Sequence, residues 1–269
     1  MFNYPGDPRT SYMMDNPPVV RVVVQIAYPP AARLGTSEAV AELQERLPVG
    51  FELRQQQASV GFHISFGTMP GAVPGMNAIF AHPEGYELTI GPDSLAVAID
   101  QKYRDRAAFS AVLEPVLNTV SAAGRLKEYA RIGVRYINAA PATIEQFRAW
   151  FKPEYVGWAG GEVVATDANR TWVLITQILR TDESSPVTNG VIRYGYLQNG
   201  VGADITNSEA ANAPSFIADV DLGDTRPGPF DPAALTGKFR AINHEIAAFF
   251  ENSMTSEGIA HFAIRPKEA

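Results

Sequence analysis

Asp219 and Asp221 stand two residues apart in Phe216-Ile217-Ala218-Asp219-Val220-Asp221-Leu222, an apolar run that reads as a strand. Side chains alternate along a strand, so both carboxylates fall on one face, about 7 Å apart by strand rise. Such a pair can bind a divalent cation or divide acid and base work. The plainer alternative, which has the greater weight, pairs the aspartates with arginines while Ile217, Val220 and Leu222 build the interior. Partners exist in Arg131-Ile132-Gly133-Val134-Arg135-Tyr136-Ile137-Asn138, where Arg131 and Arg135 share one face. Guanidinium forks there suit a carboxylate or phosphate ligand, and they suit equally an ion-pair ladder between strands, the reading preferred here. Asn138, placed by the pattern at the strand end, reads as a turn former. His244 falls on the polar side of a helix, and Trp158 sits in the glycine-rich Gly157-Trp158-Ala159-Gly160-Gly161, a context in which an aromatic side chain can meet a ligand or partner.

Composition narrows the chemistry. The chain has 269 residues, 46% of them hydrophobic and 19% charged, which is enough apolar content for a core. A formal net charge of −7 argues against a duplex-DNA binder, whose phosphate contacts need a basic face. The absence of cysteine removes disulfides, thiolate nucleophiles and zinc–thiolate sites. The four histidines (His63, His82, His244, His261) have no metal-ligand spacing. No serine has a G-x-S-x-G surround, and no phosphate-binding glycine loop opens a helix. No cofactor is implied, and neither a bilayer-spanning run nor a signal peptide is legible, so a cytoplasmic protein is expected.

The elements that must position these residues are read from period and punctuation. Residues 1–18, with Pro5, Pro8, Pro17 and Pro18, read as an extended arm. Val19–Tyr28 is a strand by its β-branching, followed by a Thr36-capped helix through Val40, Leu43 and Leu47. Strand-like runs follow at Phe51–Gln57, Ser59–Phe66, Met76–Ala81 and Tyr86–Ile99, the last with a break at Gly91-Pro92. A helix with Phe109, Val112, Val116 and Val120 on one stripe comes next, and Pro115 inside it predicts a kink or a break. The order then begins again with the strand Arg131–Asn138. Thr143-Ile144-Glu145-Gln146 is a capping box, strand-like runs occupy Glu162–Ala165, Thr171–Leu179, Val191–Leu197 and Ser215–Leu222, and Asp231-Pro232 starts a helix with Leu235, Phe239, Ile242, Ile246 and Phe249 on one face. The fold class expected is α+β, a pseudo-duplicated β-α-β4-α unit (19–128 and 129–269) whose antiparallel sheet or sheets each pack on a long amphipathic helix.

Four segments carry a resemblance: Asn16-Pro17-Pro18-Val19-Val20, Gly133-Val134-Arg135-Tyr136-Ile137-Asn138, Asp219-Val220-Asp221, and His244 followed by Phe249-Phe250-Glu251-Asn252-Ser253-Met254-Thr255. In order and spacing they resemble a sporadically distributed family of uncharacterised bacterial proteins, over roughly residues 15–262. The family pattern has an acidic residue where this chain has Arg21, so no role passes to a carboxylate there. The resemblance implies no activity; it implies a mobile-element or defence-associated context and marks Arg135, Tyr136, Asn138, Asp219, Asp221 and His244 as site candidates.

Three functions follow. The first is a non-catalytic interaction or ligand-binding protein that meets a protein partner or another copy of itself, with no membrane role. The second is a metal-dependent hydrolase or nuclease, with Asp219 and Asp221 on the metal, Arg135 on a phosphate and His244 assisting proton transfer. The third, disfavoured by net charge, is single-stranded nucleic-acid binding with Tyr136, Tyr194 and Tyr196 as stacking platforms and Arg131, Arg135 and Arg193 as a local basic groove.

Overall fold

The valine-rich run becomes strand β2 (Val19–Ala27), and in it Val22, Val24 and Ile26 are fully buried. The computed structural model describes residues 12–58, 75–157, 172–180, 185–202 and 209–266. The expected strands Ser59–Phe66 and Glu162–Ala165, together with His63 and Trp158, lie outside the described residues. Two compact units form. The first comprises Val22–Val134 and Gly223–Ile242; the second comprises Arg135–Leu222, Asn243–Ala269 and the residues up to Arg21. The protein is α+β, with helices packed on an antiparallel sheet.

In the first unit, β3 (Glu52–Ala58), β4 (Met76–Ala81), β5 (Tyr86–Ile90) and β6 (Ser94–Ile99) are hydrogen-bonded in the order β3-β4-β5-β6-β2. Each of these pairings is antiparallel, as is that of the short strands β7 (Glu128–Tyr129) and β12 (Gly228–Pro229). Helix α1 (Ser37–Arg46) starts as expected, with the Thr36 hydroxyl accepting from the Ala39 N–H. Helix α2 (Arg106–Gly124) is capped by Asp105 and runs unbroken through Pro115. Pro115 and Ala111 are both exposed, so the backbone bond that proline deletes is lost on the solvent side. The buried stripe differs by one position from the expected one. Leu113 and Leu117 are fully buried with Phe109, Val116 and Val120, while Val112 is only half-buried.

In the second unit, β8 (Arg131–Pro141), β11 (Ser215–Asp224), β10 (Asn189–Leu197) and β9 (Trp172–Arg180) lie in the order β8-β11-β10-β9. Strands β10 and β9 are antiparallel. Thr143 and Gln146 complete the capping box that opens α3 (Ile144–Trp150), and α4 (Pro153–Val156) follows. The long C-terminal helix α5 (Pro232–Ser253), whose residues up to Ile242 belong to the first unit and the rest to the second, begins where Asp231 accepts from the N–H groups of Ala233 and Ala234. All five residues of its expected apolar stripe are buried. Among the described residues no helix is long and apolar enough to cross a membrane.

The end of the expected N-terminal arm is structured. Tyr12–Met14 (β1) pair antiparallel with Ile264–Pro266 (β13), a match between distant segments that no local pattern announces. Helix α6 (Ser256–His261), capped by Thr255, presses against α3 at Gly258. A Cβ there would overlap the Trp150 carbonyl oxygen and lie 3.0 Å from the carbonyl carbon. Backbone atoms cannot swing aside as the end of a side chain can. Gly258→Ala, which would gain about 1 kcal/mol in an open helix, is therefore expected to destabilise the fold by about 1–3 kcal/mol through overpacking. Urea unfolding measures it, and a more stable variant would refute the tight approach.

Candidate functional site

Strand alternation sorts the second unit's candidates onto two faces. Tyr136 of β8 points to the helical side, where its hydroxyl accepts from the Asn243 amide of α5 at 2.7 Å. Phe216 of β11 points the same way, into Trp150, Phe151 and Phe262. Arg135, one residue before Tyr136, and Asp219 and Asp221, at odd offsets from Phe216, therefore occupy the opposite face.

There the Asp219 carboxylate is the organising group. Arg135 grips it with both prongs of its fork, Nε to Oδ1 at 2.7 Å and Nη2 to Oδ2 at 2.8 Å. Arg193 of β10 adds Nη1 to Oδ2 at 3.2 Å. The aspartate side chain is 4% exposed, and the arginines are 23% and 27% exposed. Bidentate geometry of this kind is the stronger form of carboxylate pairing. Burial alone would lower the Arg135 guanidinium; the hydrogen bond and charge of Asp219, with the charge of Asp221, outweigh it and hold it above its ordinary value. Asp221 is buried beside this cluster. Arg193 was a member of the basic groove in the sequence reading and is here the second clamp, a role that depends on strand order.

The other candidates have their own surroundings. Asn138 is not a turn residue, because β8 continues to Pro141. It is 3% exposed and its amide donates to the Ala218 carbonyl at 3.2 Å, tying β8 to β11. Arg131, in the first unit, lays its guanidinium over Gly133, where a Cβ would come within 2.7 Å of Nη1. The glycine is the groove for the arginine. His244 is half-buried on α5, on the helical side, so the sheet separates it from Asp219 and Asp221. The convergence that a metal-dependent hydrolase would require of these three does not occur. Tyr136, Tyr194 and Tyr196 are 6%, 6% and 3% exposed; Tyr194 meets Tyr155 and Tyr196 meets Phe147. These rings are core, and the stacking platform that single-stranded nucleic-acid binding would need is filled by helices. Trp150 is likewise core, stacked at 3.8 Å on His261.

Two features escaped sequence reasoning. In the first unit, fully buried Asp224 accepts from Arg226 Nε at 2.7 Å and from Lys238 Nζ at 2.6 Å, joining the end of β11 to α5. The expected strand stops at Leu222, two residues short of it, so nothing in the local pattern marked it. The second is a cleft of about 550 Å³ beside α2, lined by Arg106, Ser110, Glu114, Pro115 and Asn118 of that helix and Arg240 of α5. Among the described residues no three His, Asp or Glu side chains converge as a metal site. No protein-family model matches the chain, and no curated protein matches it.

Proposed function

We propose that the chain is a non-catalytic interaction or ligand-binding protein. The observation that carries this reading is the commitment of both Asp219 oxygens to Arg135 and Arg193. A carboxylate already neutralised by two guanidinium groups has little left to offer a cation, and a divalent ion there would meet two fixed positive charges. The metal-dependent hydrolase is the second reading, and thermal unfolding separates the two. Millimolar Mg²⁺ or Mn²⁺ is expected to leave the Tm unchanged in the native chain and in Asp219→Asn/Asp221→Asn alike. A metal-dependent rise in Tm that vanishes in the double variant would put the hydrolase first, because a ligand that binds only the folded state must stabilise it.

A duplicated origin for the fold belongs to the same proposal. In each unit the opening strand, β2 or β8, lies beside the last strand of the run that follows, β6 or β11. A short helix follows each opening strand, and a long helix follows each run. The bacterial family, its mobile-element or defence context, a cytoplasmic location and a protein partner or second copy are proposed with it, the first two on the four sequence segments alone.

A further inference from the structure

We propose that the cleft between α2 and α5 is an anion site that takes a small organic carboxylate or phosphate. The inference rests on the reading of the protein as a non-catalytic binder and names the ligand class for it. The cleft lies wholly within the first unit, where Phe109 of α2 and Phe239 of α5 pack at 5.1 Å and set the two helices side by side. The neighbouring Ser110 and Arg240 then face each other. Ser110 is 2% exposed, and its hydroxyl accepts from Arg240 Nε at 3.2 Å.

That single bond orients the guanidinium. With Nε anchored to a buried oxygen, the two terminal nitrogens of Arg240 form the free edge of the fork, the edge that binds a carboxylate or phosphate through paired donors. Arg106 lies one turn before Ser110 on the same helix stripe and lines the same cleft. Among the described residues neither Arg106 nor Arg240 has an ion-pair partner. Arg135, Arg193, Arg226 and Lys238 all hold carboxylates, whereas these two arginines line a cleft with no carboxylate on either guanidinium.

Glu114 makes the cleft directional rather than uniformly basic. It stands two turns beyond Arg106, about 12 Å along the axis by helix rise. Pro115 beside it has no N–H to give to the Ala111 carbonyl, and both residues line the cleft. Asn118 donates its own amide to the Glu114 carbonyl at 3.0 Å. The arginine end therefore presents donors and the proline end presents acceptors. The fitting ligand carries an oxyanion at one end and a hydrogen-bond donor toward the other.

The test titrates the intact chain, labelled with ¹⁵N-arginine, with inorganic phosphate and separately with succinate, against a chloride control of matched ionic strength. The expected result is a saturable shift of the Arg240 Nε–Hε signal, assigned by its loss in Arg240→Ala. The affinity is expected to fall about tenfold or more in Arg106→Ala, and Arg240→Lys, which keeps the charge without the fork, is expected to bind more weakly than the native chain when both are followed on the Arg106 Nε–Hε signal. Thermal unfolding of each variant confirms that it folds. A response to phosphate alone assigns a phosphate ligand, and one to succinate alone a carboxylate. No saturable response to either anion, or an unchanged affinity in Arg106→Ala, overturns the inference. The metal-dependent Tm of Asp219→Asn/Asp221→Asn tests the parent reading separately, so a silent cleft with no metal effect refutes the cleft alone.

Discussion

Asp219→Ala is expected to lower folding stability by about 3–4 kcal/mol, the range for removing one member of a buried ion pair. The cost is large because the change removes a buried acceptor that two guanidinium groups share. Arg135 and Arg193 are each about a quarter exposed, too covered for full solvation, and both donate to this carboxylate. Removing an arginine should cost less, since Arg193→Ala leaves the bidentate Arg135 pair intact. Replacing the set by apolar residues of similar volume, Asp219→Leu with Arg135→Met and Arg193→Leu, is expected to recover much of the loss. Urea unfolding of the series measures all three. A near-neutral Asp219→Ala would mean that the cluster is not a structural device, and it would reopen a ligand role for the carboxylate.

Asp224→Ala is expected to cost about 2–3 kcal/mol, less than Asp219→Ala because its partners, Arg226 at 38% and Lys238 at 35% exposure, can return to water. Burial raises the Asp224 carboxyl, but hydrogen bonds from Arg226 and Lys238 overcome it and hold the group below its ordinary value. A depressed carboxyl stabilises the fold above its unfolded pKa, and the contribution is lost as pH falls through the folded value. Burial lowers the Lys238 ammonium, and hydrogen bonds to Asp224 and Tyr129 raise it further than burial depresses it. Its contribution is complete below the unfolded lysine pKa and is lost as pH rises through the folded value. The pair should therefore act at full strength between about pH 5 and pH 10, bounded by the ordinary values of the two groups. The stability difference between native chain and Asp224→Ala is expected to be flat across neutral pH and to shrink below about pH 4. A difference that grows on acidification would refute the pairing.

The period-2 valines of β2, the Thr36, Thr143 and Asp231 caps and the α5 stripe were legible because each depends on neighbours within one or two turns. Pro115 misled in part: its type predicts a kink or break, but its effect depends on which side of the helix loses the bond, and that side is exposed. Asn138 was misread for a similar reason. A terminal asparagine and one that crosslinks two strands have the same local sequence.

At the candidate site, the amino-acid sequence by itself determined that Asp219 and Asp221 share one face and that Arg135 and Tyr136 point opposite ways, because strand alternation follows from backbone geometry. It determined an α+β chain of strands and long helices, from period, β-branching and capping residues. Only the tertiary structure decided that β11 lies between β8 and β10, placing Arg135 and Arg193 on one carboxylate. It alone put α5 across the sheet from that carboxylate, with His244 out of reach, and set Arg240 against Ser110. These pairings join residues 26, 84 and 130 positions apart. Their partners are chosen by sheet order and helix packing, long-range contacts that no local run of residues encodes.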